Sequence, residues 1–147
     1  MDNEQNATPW LDLGPHTFRL EPQTDTFIFC AGGDFTLDTT RVLVAELRRF
    51  SETRERLFVL ADASGMGQLS GEARRLLAEL LKDLPIVATV VFGASFAQRV
   101  LATLADKTNN LIRRAGRYET RFFKTEAEAR AWLEKKRHRA LASGALP

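Results

Sequence analysis

Residues 57–62 read Leu-Phe-Val-Leu-Ala-Asp, and residues 86–92 read Ile-Val-Ala-Thr-Val-Val-Phe. Short, nearly continuous apolar runs rich in β-branched residues are typical of strands that are buried on both faces in a parallel sheet. Residues 36–50 and 71–84 lie before and between these runs, and both carry apolar side chains at helical spacing. Strands that alternate with amphipathic helices predict an α/β domain.

The same reasoning extends outward to both ends of the chain. Two short extended runs before the first helix predict a hairpin, because Pro22 and its neighbours separate them. The pattern as a whole predicts an α/β single domain with a five-stranded, mostly parallel mixed sheet, an N-terminal hairpin and about four helices. The predicted strands are 16–21, 25–31, 57–62, 86–92 and 118–124, and the predicted helices are 36–50, 71–84, 96–114 and one that begins at residue 126.

The length of 147 residues corresponds to one domain. Residues 1–13 are predicted to be a flexible N-terminal tail, residues 14–134 the domain, and residues 135–147 a basic C-terminal tail. The charge is uneven, because the last 53 residues hold twelve bases and five acids. Cations at helix ends complement the helix dipole, so this basic excess does not by itself predict nucleic-acid binding.

The composition excludes several classes of protein. A single cysteine, Cys30, cannot form a disulfide framework or a multi-cysteine metal site, and it lies in an apolar run where an inert thiol is expected. No apolar stretch approaches the roughly 18 residues that a membrane-spanning helix needs. These features predict a cytoplasmic protein with no membrane span.

A strand-like run followed by Gly93-Ala94-Ser95-Phe96-Ala97 resembles the nucleophile elbow of α/β-hydrolases. However, Gln98 lies three residues after Ser95, which also fits a capping box that begins a helix. A small serine hydrolase using Ser95 is therefore a remote alternative, and no catalytic residue is predicted.

Cofactor and metal sites are not predicted either. Residues 65–71 follow a strand and precede a helix, but Ser70 stands where a dinucleotide-binding loop requires glycine. The two histidines, His16 and His138, are too few and too far apart in sequence for a metal site.

Four stretches of the chain resemble the STAS domain, the fold of anti-sigma factor antagonists of the SpoIIAA type. They are residues 33–47, residues 57–65 (Leu-Phe-Val-Leu-Ala-Asp-Ala-Ser-Gly, similar to that family's LVLDLSG), residues 90–104 and residues 123–133. The family's phosphorylated D-S-S-G motif corresponds to Ser70-Gly71-Glu72-Ala73, so Glu72 occupies the position of the regulated serine. The similarity is therefore to the unphosphorylated branch of STAS-like proteins, which is related in fold to the CRAL-TRIO lipid-binding domains.

The resemblance implies a non-catalytic module that binds another protein through the segment after the central strand. We predict Ser64, Met66 and Ser70 as exposed contacts and Gly65 and Gly67 as residues that give the loop its freedom through positive φ. The complete predicted contact set is Asp62, Ser64, Gly65, Met66, Gly67, Ser70 and Glu72. Two alternatives remain open: a loop that only joins strand to helix, and a module that encloses a small apolar or lipid-like ligand. A homodimer is likewise left open.

Overall fold

A computed structural model describes residues 7–95 and 119–144 of the chain. The elements follow one another as β1 (Leu11–Leu13), β2 (His16–Glu21), β3 (Thr26–Cys30), α1 (Leu37–Ser51), β4 (Leu57–Asp62), α2 (Gly71–Leu81), β5 (Ile86–Phe92), β6 (Glu119–Phe123) and α3 (Glu126–Gly144).

The six strands form one mixed sheet in which the spatial order is the chain order, β1 to β6. The first three strands are antiparallel neighbours, and β3 to β6 are parallel. In the parallel part, Ile28 lies opposite Leu60, and Leu60 lies opposite Val90. The predicted fold class is confirmed, with one strand more than the five that the sequence suggests.

The additional strand is β1, which lies in the segment predicted to be a tail. Leu11 pairs with Phe18 and Leu13 with His16, and Leu13 is almost fully buried. Gly14 adopts a φ of 63°, a left-handed conformation that suits glycine and reverses the chain before Pro15. A three-residue strand is too short to show alternation, so its pairing with β2 is what defines it.

The starts of the first two helices are explained by their capping residues. The Thr36 hydroxyl accepts a hydrogen bond from the Thr39 amide at 3.1 Å, and the Ser70 hydroxyl accepts one from the Ala73 amide at 3.0 Å. Each bond satisfies an amide that has no partner within its helix. Helix α2 ends at Leu81, three residues before the predicted end, and Leu84 is instead buried next to Pro85.

The two faces of the sheet are covered differently. Helices α1 and α2 lie over the face that carries Phe27, Phe29 and Val59, whereas α3 covers the opposite face. Ala129 and Leu133 of α3 are buried there. Most leucines of α2 are only half buried, although the sequence predicts an inward-facing stripe; Ala73 is the buried residue of this helix.

The predicted basic tail is helical as far as Gly144, because nothing between residues 126 and 143 interrupts the helix. The Lys136 ammonium lies 2.8 Å from a Glu119 carboxylate oxygen, and Arg56 donates a 2.7 Å hydrogen bond to the Ala140 carbonyl. This part of the chain therefore contacts the domain. The predicted helix 96–114, and with it the capping role predicted for Ser95, lies outside the described residues.

Candidate functional site

The carboxyl ends of the parallel strands meet the starts of α1 and α2 at one edge of the domain. At this edge, residues 67–69 run beside residues 33–35. The Gly67 amide donates to the Gly33 carbonyl at 2.8 Å, and the Phe35 amide donates to the Gln68 carbonyl at 2.8 Å. The predicted contact segment is therefore held by the backbone of its neighbour, and this short pairing extends the sheet towards both helices.

Asp62, the first residue of the predicted contact set, stabilises its own loop. One of its carboxylate oxygens accepts hydrogen bonds from the Ser64 amide at 2.9 Å and the Ser64 hydroxyl at 2.6 Å. Its second oxygen lies 3.6 Å from the Cys30 sulfur, which donates to it. Burial, and then the nearby Asp62 charge, raise the pKa of the Cys30 thiol, which keeps it protonated and unreactive.

Gly65 and Gly67 are required for close packing and not for the positive φ that the sequence analysis expected. A Cβ on Gly65 would lie 2.5 Å from the Ala31 carbonyl oxygen, and one on Gly67 would lie 2.1 Å from a carboxylate oxygen of Asp34. Among the described glycines, positive φ occurs at Gly14 and Gly93 instead. That carboxylate oxygen of Asp34 also accepts the Gln68 amide at 2.7 Å, which fixes the loop further.

The remaining predicted contact residues differ in exposure. Ser64 and Glu72 are exposed, as is Ser70, although the Ser70 side chain is engaged as the helix cap. Met66 was expected to be exposed, but its side chain is half buried and packs against the core cluster. Gln68, which the sequence analysis did not single out, is exposed in the middle of the segment.

A cavity of about 1050 Å³ lies between the sheet and helices α1 and α2 and extends to this edge, where Asp34 and Asp62 line it. Aromatic and aliphatic side chains form most of its wall, among them Phe29, Phe35, Leu77, Val91 and Phe122. Sequence analysis did not identify these residues as a site. Their hydrophobic periodicity is the same as that of closely packed core residues. The distance between a helix and the sheet beneath it cannot be read from a local sequence pattern.

His16 is fully buried next to this cavity. Its Nδ1 accepts the Gly32 amide at 3.0 Å, which places the ring proton on Nε2, and Nε2 lies 3.1 Å from the Asp34 carbonyl. The ring packs against Phe29 and Phe35, two residues of the cavity wall. Burial lowers the pKa of His16, and the hydrogen bond to the Asp34 carbonyl offsets part of this effect.

Both histidines form hydrogen bonds within the described part of the chain. Both ring nitrogens of His16 are hydrogen-bonded to backbone, and Nε2 of the exposed His138 pairs with Glu134 at 3.1 Å. Ser95 itself is exposed after β5. Within residues 7–95 and 119–144, no group of three His, Cys, Asp or Glu side chains is positioned to hold a metal ion.

Among the comparisons with known proteins, only the structural one gives a match, and it concerns the fold. No protein-family profile matches the chain, and no curated protein matches it. Among solved structures, the chain is similar to the crystal structure of an uncharacterized protein of the DUF3478 family from Shewanella loihica PV-4, which has a SpoIIAA-like fold. The two chains are 16% identical, with a TM-score of 0.57, and the match covers 87% of this chain and 94% of that one. This protein therefore has a SpoIIAA-like fold, as the STAS resemblance predicts.

None of the described helices is both long enough and apolar enough to cross a bilayer.

Proposed function

We propose that this protein is a non-catalytic binding module whose ligand is a small apolar or lipid-like molecule held between the sheet and helices α1 and α2. The observation that carries the proposal is the cavity of about 1050 Å³. Ligand pockets typically measure roughly 300–1,000 Å³ and combine apolar walls with a few polar groups, and this cavity has that character. The half-buried leucines of α2 fit the same proposal, because a bound ligand would cover them.

The absence of catalysis is part of the proposal. Support comes from the hydrogen bonds that hold both ring nitrogens of His16 and from the raised pKa of the Cys30 thiol. We also propose a cytoplasmic location, where Cys30 remains reduced.

The direct test is extraction of the purified protein with organic solvent, followed by mass spectrometry of the extract, and titration of the delipidated protein with decanol by calorimetry. Ala61 lies on β4 and lines the cavity, so Ala61→Phe fills part of the space and is expected to abolish decanol binding. Ala131→Phe is the matched control, because Ala131 is exposed on α3 at the other face. Normal binding by a folded Ala61→Phe variant would contradict this site.

A second candidate function is the protein-interaction role that the STAS resemblance implies. The observation that favours it is the segment from Asp62 to Glu72, which presents exposed polar side chains on a backbone fixed by hydrogen bonds. A fixed surface loses little conformational entropy when a partner binds. Because Glu72 occupies the position of the family's regulated serine, we propose that such binding is constitutive and not controlled by a kinase. A second copy of the chain is one partner that this surface allows.

This role is tested by affinity capture with the double variant Gln68→Arg/Glu72→Lys. Both side chains are exposed, so the fold should be retained while the surface changes its charge. Glu55→Lys is the control, since Glu55 is exposed in the loop before β4. A partner retained by the wild type and by Glu55→Lys but lost by the double variant would support the role. Equal capture by all three would exclude this surface.

A further inference from the structure

The ionisable side chains of the described cavity wall lie at one end, whereas Thr89 and Thr120 are neutral polar residues further along the strands. Its ionisable lining residues follow β3, end β4 or lie in the first two turns of α1 and α2; they are Asp34, Asp38, Arg41, Asp62, Glu72 and Arg74. Residues that come later in both helices, such as Leu47 and Leu81, line the cavity with apolar groups. A wall that is charged at one end and apolar along its length suits an amphiphile lying along the helices, with its head at the carboxyl edge of the strands.

The charge at this end is unbalanced. Among the described lining residues, four carry carboxylates and two carry guanidiniums, which leaves a formal charge of −2. Asp38 and Arg41 approach one another at 3.5 Å but remain largely exposed, so their pairing is weak. Within the described part of the chain, neither Glu72 nor Arg74 forms an ion pair. Among the residues that the structure describes, a ligand head therefore meets an excess of negative charge.

We propose, resting on the function proposed above, that the ligand is an amphiphile with an apolar tail and a cationic, ammonium-type head. The head lies near Glu72 at the carboxyl edge of the strands, and the tail extends between the sheet and the leucines of α2. Charge complementarity favours this class over a fatty acid or another anionic amphiphile, because the described part of the wall offers a carboxylate head four carboxylates against two guanidiniums.

The test uses three probes that share one tail: decyltrimethylammonium, decanol and decanoate. Each is titrated at low salt into the full-length delipidated protein, the two charged probes below their micelle concentrations and decanol below its solubility limit. Exposed charge pairs typically contribute about 0.2–1 kcal/mol, so the cation is expected to bind up to about fivefold more tightly than decanol, and the anion more weakly by a similar factor. Added salt should reduce both differences, because it screens the charges.

Two substitutions alter the head site in opposite directions. Glu72→Gln removes one carboxylate and should lower the ratio of cation affinity to anion affinity, whereas Arg74→Gln removes a guanidinium and should raise it. Glu55→Gln makes the same chemical change at an exposed position that is not part of the cavity wall, and it should leave the ratio unchanged. Circular dichroism confirms that each variant is folded.

The outcomes separate the two proposals. If decanoate binds as tightly as decyltrimethylammonium or more tightly, the cationic head is excluded while the apolar site remains. A ratio that does not respond to Glu72→Gln or Arg74→Gln would overturn the placement of the head. If decanol and both charged probes fail to bind, the proposed function itself is wrong.

Discussion

At the scale of single residues, His16 shows how one side chain fixes the edge that contains the candidate site. The buried ring connects β2 to Gly32 and Asp34, and Asp34 in turn holds the loop after β4 through the Gln68 amide. A protonated ring could no longer accept the Gly32 amide, because both nitrogens would then carry protons. The neutral ring is therefore part of the folded structure.

We expect His16 to make the protein less stable in acid. Burial lowers the pKa of His16 in the folded state, whereas a histidine in the unfolded chain has a pKa of about 6.5. As the pH is lowered below that value, the unfolded chain takes up the proton and the folded chain does not. The free energy of unfolding therefore decreases as the pH decreases, by up to about 1.4 kcal/mol per pH unit from this group. Urea denaturation at a series of pH values measures the slope.

The variant His16→Gln should lose this acid-side slope, whatever its absolute stability. His138→Gln is the matched control, because it removes an exposed imidazole and leaves His16 in place, so the slope should persist. An unchanged slope in His16→Gln would show that other groups cause the acid sensitivity.

The residues of the candidate site also show where sequence reasoning stops. The loop-stabilising role of Asp62 follows a local motif, because an aspartate commonly bonds the amide two residues later. The burial of Met66 and the close packing of Gly65 and Gly67 depend on residues 31–35, which lie more than thirty positions away. No local pattern contains that pairing.

At the scale of elements, periodicity and caps were sufficient for the start of α1 and for the strands β4 and β5. Helix α1 begins after Thr36, and β4 and β5 match the predicted apolar runs. The short strand β1 and the length of α3 were missed for different reasons. Strand β1 is defined by its pairing with β2, and α3 continues because its charged residues are good helix formers that a reading based on polarity assigns to a tail.

Deletion of the chain after Glu134 is expected to destabilise the domain. It removes the ion pair between Lys136 and Glu119 and the hydrogen bond from Arg56 to the Ala140 carbonyl. The Lys136 hydrogen bond is the main reason that the pKa of Glu119 is lowered. We expect a loss of about 1–3 kcal/mol, from contacts that are half exposed.

Thermal and urea denaturation measure this loss, and Lys135→Ala is the control because Lys135 is exposed on the same helix. Lys136→Ala should reproduce part of the effect of the deletion. A truncated protein as stable as the full chain would restore the view that residues 135–147 form a dispensable tail.

At the scale of the whole molecule, the sheet separates a closed core from a face that contains the cavity. Ala129 and Leu133, on the sheet-facing side of α3, are 0% and 4% exposed, whereas Leu77 of α2 is half buried and lines the cavity. The α1/α2 face also contains the larger buried cluster, with Phe27 and Leu57 both fully buried, and the cavity lies between the sheet and the two helices of that face. Sequence alone did not reveal this division, because the apolar residues of both faces follow the same helical and strand periodicities.

The division predicts that equivalent substitutions on the two faces have different consequences. Leu133→Ala leaves a cavity in a closed core and should cost about 2–5 kcal/mol of unfolding free energy without changing decanol affinity. Leu77→Ala removes a side chain that is already partly solvated, so it should cost less, while it weakens decanol binding several-fold by removing part of the wall. Urea denaturation and calorimetric titration of both variants make the comparison. If Leu77→Ala proved as destabilising as Leu133→Ala and left binding intact, the face beneath α1 and α2 would be a second closed core, and the ligand would have to bind elsewhere.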